Sequence, residues 1–235
     1  MVKNAWQKWE ELERAANTDL VTLTGAIDFA PRDSDAFRQL VETCEENKIS
    51  YKIYNHEEIG RKVPGFSTPA NYGTIYTERG GIIRASKSVA TLQSQAVKNG
   101  AKIIDEYALS SVKNSGGSLE VTLDSNRIGK NGESFKKKIS CKKLIVCPGA
   151  WLTPVAKKLF DVNINTQVFQ MGYYYFDTVG ADRDVYSASK FPVFIDYNDP
   201  DAHVYGTPAF EYPSLLKVGS HGERFQTHTT TAVDR

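Results

Sequence analysis

Lys217-Val218-Gly219-Ser220-His221 reads as one short β-strand. Alternate residues of a strand face the same way, so this stretch sets a lysine and a histidine side by side on one face. Tyr205-Gly206-Thr207-Pro208, a little upstream, places a tyrosine one strand away. A cation, an imidazole and a phenol so arranged suit the binding of a carboxylate or the handling of an anion. Taken alone, Lys217 and His221 also suit a solvated edge-strand lysine and an ordinary surface histidine.

Outward from this stretch, the C-terminal part consists of short strands and turns, over residues 168–176, 193–197, 203–206 and 215–220. The first of these is rich in aromatics: Tyr173, Tyr174, Tyr175 and Phe176. At least half of them are expected in the core, because alternate positions face opposite sides. The N-terminal part is helical first. Trp6, Trp9, Leu12 and Ala16 recur at helical spacing. Residues 20–29 read as a strand with a tight spot at Thr24-Gly25. Asp33 or Ser34 caps a second helix whose inward face is Phe37, Leu40, Val41 and Cys44. Residues 49–54 form a short strand. Residues 56–76 are interrupted by Pro64-Gly65, Pro69 and Gly73 and read as ordered loop. Gly80-Gly81 precedes Ile82-Ile83. Ser86 opens a third helix with Val89, Leu92 and Ala96 inward, closed by Asn99-Gly100. Strands follow at 101–106, 109–112, 118–123, 135–140 and 143–147, with a turn at Gly129-Lys130-Asn131-Gly132. The apolar run Leu144-Ile145-Val146, the turn Pro148-Gly149-Ala150-Trp151 and a helix through Leu159 form a strand–turn–helix unit of the kind that can present backbone N–H groups to an anion. Many α/β crossovers turn this way without binding anything. Helices early and strands late predict an α+β (α/β) fold, with a mixed β-sheet backed by helices.

Composition narrows the function. The chain has 235 residues, 40% hydrophobic and 24% charged, which supports a substantial core. With 29 basic against 28 acidic residues the net charge is +1, which favours neither a nucleic-acid partner nor a membrane surface. Lys136-Lys137-Lys138 reads as a solvated gatekeeping strand edge. Cys44, Cys141 and Cys147 are too few and scattered for a disulfide framework or a zinc site, and no metal is expected. Cys44 and Cys147 look like buried small hydrophobes, which favours a reducing compartment. No apolar run approaches the roughly 20 residues of a membrane span, and no signal-peptide core opens the chain. Gly-x-Gly-x-x-Gly, Gly-x-Ser-x-Gly, His-Glu-x-x-His and Walker patterns are absent. His56 and His228 have no partner pattern and read as surface residues.

The order of the short motifs carries more than any one of them. Trp9-Glu10-Glu11-Leu12-Glu13, Thr24-Gly25, Gly80-Gly81-Ile82, Gly149-Ala150-Trp151, Phe191-Pro192-Val193-Phe194, Tyr205-Gly206-x-Pro208 and Lys217-x-Gly219-x-His221 follow one another. In this order, to about residue 225, the chain resembles the middle of the monomeric sarcosine oxidases and peroxisomal L-pipecolate oxidases. These belong to the D-amino-acid-oxidase-like flavoprotein amine oxidases.

The resemblance implies FAD as cofactor, and an amino-acid substrate and dioxygen as small-molecule partners. It implies that Lys217 lies over the flavin and activates oxygen, where a fixed cation stabilises the charge developing on superoxide. It gives His221 a place on the substrate carboxylate and Tyr205 a place in the substrate site. Gly149, Ala150 and Trp151 would run past the flavin diphosphate and ribityl chain, and the Leu109 backbone would meet the adenine. The implied reaction oxidises the C–N bond of a secondary amino acid such as sarcosine or L-pipecolate to an imine and yields hydrogen peroxide. Residues 1–20 and 84–165 correspond to parts of the FAD-binding (Rossmann-like) domain. Residues 21–83 and 166–225 correspond to the substrate-binding domain, with 226–235 as a tail outside the pattern.

The family's glycine-rich nucleotide unit would fall before Met1, and its flavin-linking cysteine after Arg235; none of the three cysteines matches that position. Two expectations follow. The chain is a piece of an FAD-dependent oxidase, inactive and weakly FAD-binding by itself, in the peroxisome or cytoplasm. Alternatively, it is a non-catalytic binding or scaffold protein that associates through an exposed Trp6/Trp9 face.

Overall fold

The computed structural model describes residues 2–128, 134–169, 171–179 and 183–221. The turn expected at 129–132, His228 and the tail at 226–235 lie outside the described residues. The chain divides into two compact units, residues 1–95 with 170–225, and residues 96–169 with 226–235. The fold is mixed α and β as expected, with five α-helices and three sheets among the described residues.

The first unit holds α1 (Val2–Ala16), β1 (Val21–Leu23), β2 (Ala26–Pro31), α2 (Asp35–Glu46), β3 (Lys52–Tyr54), α3 (His56–Lys62), β4 (Tyr72–Thr77), β5 (Gly81–Ile83) and most of α4 (Ala85–Lys98). Its remaining strands are labelled after those of the second unit, which holds β6 (Tyr107–Ser115), β7 (Ser118–Ile128), β8 (Ser134–Cys141) and α5 (Leu152–Phe160). They are β9 (Tyr173–Asp177), β10 (Val193–Asp196), β11 (His203–Thr207) and β12 (Leu215–His221). Seven strands form one sheet in the order β3-β4-β2-β10-β11-β12-β9. Only β2 and β10 run parallel; the other neighbours are antiparallel.

The stretch at 20–29 is two strands in two sheets. Gly25 adopts φ +76, a left-handed conformation that breaks the extended run. Before it β1 pairs with β5; after it β2 enters the large sheet. The Thr24 and Gly25 amides both donate to the Gly80 carbonyl at 3.1 Å, and the Val193 amide donates to the Gly25 carbonyl at 3.2 Å. Three of the ordered motifs are therefore one contact. Glycine is needed there: a Cβ on Gly80 would stand 2.2 Å from the Ala26 Cβ, and one on Gly81 would stand 2.2 Å from the Thr22 carbonyl oxygen.

Each face of the large sheet is packed by a different helix. Ser34 caps α2 by accepting from the Phe37 amide at 3.2 Å. Phe37 and Cys44 then bury against Ala30 and Ile75, with Leu40 and Val41 packed at the margin. On the opposite face Ile59 and Val63 join Ile27, Phe29, Phe66, Tyr72 and Phe191. Ile59 lies on α3, inside the segment expected to be loop. Asn55 starts that helix with a capping box, its side chain accepting from the Glu57 and Glu58 amides while Glu58 accepts from the Asn55 amide. Two turns offer too little apolar periodicity to compete with the Pro and Gly signals around them.

Several other expectations are corrected. Val89 and Leu92 on α4 are 55% and 52% exposed, and the buried side chain of that helix is Ser88. Residues 101–106 and 143–147 form no strand, and Ile145 is 86% exposed. Cys147 is exposed rather than buried. Both runs have strand composition, but no ladder partner lies beside them among the described residues. Among the described residues of the stretch expected as a strand at 168–176, β9 takes in Tyr173 to Phe176 and runs on to Asp177. It is a sheet edge, so Tyr173, Tyr174 and Phe176 are exposed and only Tyr175 is half-buried. Trp6 and Trp9 are half-buried instead of forming an open face, and the Arg79 guanidinium lies over the Trp6 ring at 5.3 Å.

The three strands of the second unit form the meander expected of them, in the order β6-β7-β8. Its basic edge is paired: Lys138 reaches Glu120 at 3.2 Å and Lys136 reaches Asp124 at 3.8 Å. Exposed pairs of this kind add little stability.

Candidate functional site

Register places the key side chains. Across five strands, Asp28, Ile195, Tyr205, Gly219 and Tyr173 stand opposite one another in turn. Because pleating alternates, they share one face, and Lys217 and His221 share it two residues either side of Gly219. Lys217 pairs with Thr207 and with Tyr175; His221 pairs with His203. His221 lies four residue steps along the strand from Lys217, about 13 Å at the usual rise. They are on one face, as expected, but they are not neighbours. Tyr205 stands between them on β11.

The two motif glycines have a packing cause. A Cβ on Gly219 would lie 2.6 Å from the Tyr205 ring, so the phenol lies flat over the glycine. On the other face a Cβ on Gly206 would lie 2.3 Å from the Phe194 ring. Each glycine is the seat of an aromatic ring from the adjacent strand. Gly219→Ala is expected to displace Tyr205 while the sheet survives, at a cost of about 1–3 kcal/mol. Near-UV circular dichroism with urea unfolding checks this, and an unchanged aromatic signal would count against the packing.

Lys217 is held by Tyr173, from the aromatic strand, and by Glu211, which the sequence did not single out. Its ammonium lies 3.7 Å from a Glu211 carboxylate oxygen and 4.4 Å from the centre of the Tyr173 ring. The lysine side chain is 22% exposed against 46% for Glu211. The Tyr175 hydroxyl donates to the same Glu211 carboxylate, and Tyr175 packs edge-on against Tyr212 at 4.9 Å. That hydrogen bond to Glu211, with burial second, pushes the Tyr175 phenol well above its ordinary range. Glu211 lies in the turn Phe210-Glu211-Tyr212-Pro213, whose composition signals only a turn.

A second group lies further along the same face. Asp28, on β2, lies beside the Tyr197 hydroxyl. Burial pushes the Asp28 carboxyl up to about 6. Burial first, and the Asp28 charge second, push the Tyr197 phenol up to about 12. The Tyr197 ring packs on the His203 imidazole at 4.7 Å between centres.

Gly149, Ala150, Trp151 and Leu109 belong to the second unit. Gly149–Trp151 forms a 3₁₀ turn leading directly into α5, without a side-chain cap. Gly149 adopts φ +58, and a Cβ there would meet nothing within 4 Å. With Ala150 and Leu152 it borders a cleft of about 320 Å³ closed by residues 166–169. The expected strand before this turn is missing, but the helix after it is present. Leu109 is part-buried on β6, opposite Leu123 and beside a register irregularity. Among the described residues no cluster of His, Cys, Asp and Glu has the makings of a metal site, and no helix is long and apolar enough to cross a membrane.

The model of the DAO family, FAD dependent oxidoreductase, matches residues 1–235. The chain belongs to this family. A probable sarcosine oxidase of Arabidopsis thaliana is 27% identical over 224 residues, covering 94% of this chain and 52% of the relative. The monomeric sarcosine oxidase of Bacillus sp. (strain B-0618) is 26% identical over 215 residues, covering 91% of this chain and 51% of the relative. This DAO-family chain thus spans about half the length of the curated relatives it matches. Among solved structures, L-proline dehydrogenase from P. horikoshii superposes with a TM-score of 0.70 at 13% identity, over 99% of this chain and 58% of its own. NikD, an unusual amino acid oxidase essential for nikkomycin biosynthesis, gives 0.68 at 15% identity, over 95% and 55%. At those identities the likeness is one of fold.

Proposed function

We propose that this DAO-family chain supplies the substrate-side sheet, and part of the cofactor-side structure, of an FAD-dependent oxidase of secondary amino acids such as sarcosine or L-pipecolate. The observation that carries the reading is the shared face of Lys217, Tyr205 and His221. Lys217 supplies a fixed positive charge, most of it shielded from water by Tyr173 and Glu211. His221 offers an N–H donor to a substrate carboxylate. Tyr205, seated on Gly219, presents a phenol between them.

The residues of the second unit fit the flavin cofactor. Gly149 leaves its backbone open to close approach beside a cleft, and α5 starts without a side-chain cap. Gly149, Ala150 and Trp151 would hold the diphosphate and ribityl chain, and the Leu109 backbone would meet the adenine. When bound, FAD supplies the two-electron acceptor for the C–N bond. The residues of this chain bind and orient the amino acid, exclude water from it and hold a cation where dioxygen is reduced. Residues 1–20 and 84–165 then belong to the cofactor side and 21–83 with 166–225 to the substrate side. A peroxisomal or cytoplasmic location goes with this reading; a human relative, 23% identical, is named peroxisomal sarcosine oxidase.

The remaining half of the relatives' length would supply the rest of the FAD site, so the chain by itself is expected to bind FAD poorly. The 235-residue protein should purify colourless and make no peroxide from sarcosine or L-pipecolate. Joined to its flanking coding sequence, it should purify yellow and turn over one of them. A yellow, fully loaded long form that oxidises no secondary amino acid would overturn the assignment. The scaffold alternative rests on the missing Gly-x-Gly-x-x-Gly pattern and on Trp6 and Trp9, which are half-buried.

A further inference from the structure

We propose that Asp28, Tyr197 and His203 form a positioning row that sets His221 from inside the sheet. The proposal rests on His221 being the residue that meets the substrate carboxylate. The row runs through adjacent strands: Asp28 pairs with Ile195, two residues before Tyr197, the Tyr197 ring packs on His203, and His203 pairs with His221. Asp28 stands on a central strand between β4 and β10, with α2 packed over its neighbours Ala30 and Ile75. A carboxylate in such a place needs a partner, and the Tyr197 hydroxyl is that partner. Tyr197 directly follows β10, and its amide donates to the Phe29 carbonyl at 2.9 Å, which fixes the backbone carrying the ring. The ring lies 4.7 Å from the His203 imidazole, tilted by 55°. His203 faces His221 directly across the β11–β12 ladder, where opposed side chains are in contact range.

The row explains an otherwise costly feature. An acid on the core face of a sheet is destabilising, and an apolar residue there would pack with Ala30 and Ile75 without penalty. As the anchor of the row, Asp28 fixes the rotation of the Tyr197 hydroxyl. Tyr197 limits the positions open to His203, and His203 limits those open to His221. The imidazole at the exposed end of β12 then meets its ligand with less freedom to lose on binding. None of Asp28, Tyr197 and His203 touches the substrate in this scheme; they act through His221.

The test uses the 235-residue protein with isotope-labelled histidine, so that four imidazoles are observed, those of His56, His203, His221 and His228. Each signal is assigned by single His→Gln replacement. Tyr197→Phe keeps the ring and removes the hydroxyl beside Asp28; Asp28→Asn removes the charge. Both are expected to shift the His203 and His221 signals by more than a linewidth and to leave His56 in place. Phe37→Leu, in the same helix-packed cluster but outside the row, should move neither. If His221 stays fixed in both variants, or moves equally in Phe37→Leu, the row is disproved. Where the two variants disagree, Tyr197→Phe decides. Because this readout needs no flavin, the row can fail while the oxidase assignment stands, and a long form without peroxide activity can fail while the row holds.

Discussion

An Asp28→Asn protein is expected to be more stable than the parent at neutral pH, by about 3 kcal/mol, and no more stable below pH 4. The folded carboxyl is pushed from the ordinary 3.8 up to about 6 by burial, with the Tyr197 hydroxyl pulling the other way. A shift of about two units, at about 1.4 kcal/mol each, sets the size of the effect. The sign follows from where the proton is held more tightly. The native state binds it more strongly than the unfolded chain does. Above pH 6 both states are ionised and the native state carries the full cost of a buried charge. As the pH falls toward 3.8 the native carboxyl is neutral first and the cost shrinks; below 3.8 both are neutral and it is gone. Asparagine is neutral throughout. Urea unfolding of parent and variant at pH 7.5, 5 and 3.5 should show the gap closing. A constant gap would mean that Asp28 titrates as an ordinary exposed acid, and one that opens toward acid that its folded carboxyl is held below the ordinary range; either overturns the burial argument.

The largest expected effect belongs to Lys217. In the flavin-loaded long form, Lys217→Met should lower oxygen consumption by about 10²–10³-fold, the usual loss when one preorganised group facing developing charge is removed. Methionine is chosen because it keeps the length of the chain and a favourable contact with the Tyr173 ring. The Glu211–Tyr175 hydrogen bond is independent of it. The substitution thereby isolates the charge. Substrate binding, placed on His221 about 13 Å further along the strand, should change less than tenfold by rapid-mixing measurement of substrate affinity. Wild-type oxygen uptake in the variant would take Lys217 out of the mechanism.

What the sequence disclosed, and what it withheld, follows from the range of the interactions. Lys217 and His221 share a face because a strand alternates, and that is local. Ser34 and the Phe37–Cys44 stripe are local too, and α2 forms as they predict. The contact between Thr24-Gly25, Gly80-Gly81 and Val193 joins segments far apart in the chain, so it showed only as an order of motifs. Glu211 enters the site because a turn folds it back over β9 and β12, and turn chemistry does not say which way a side chain points. Asp28 sits in an apolar strand as a lone carboxylate, and nothing in the strand's pattern singles it out as part of a row. Its partner Tyr197 is supplied by the single parallel pairing of the sheet, which no local pattern specifies. The failed strands at 101–106 and 143–147 show the converse: strand composition states what a segment can do, and a ladder needs a second segment beside it.

β9 ends the strand order, so the amides and carbonyls of Tyr173–Asp177 that point away from β12 have no ladder on that side among the described residues. Tyr174 is 69% and Phe176 is 54% exposed on it, and the strand holds no proline or lysine. Such a border is adhesive. Outward amides there should exchange with deuterated water well ahead of those on β11, and concentrated protein should self-associate by adding a foreign strand at this margin.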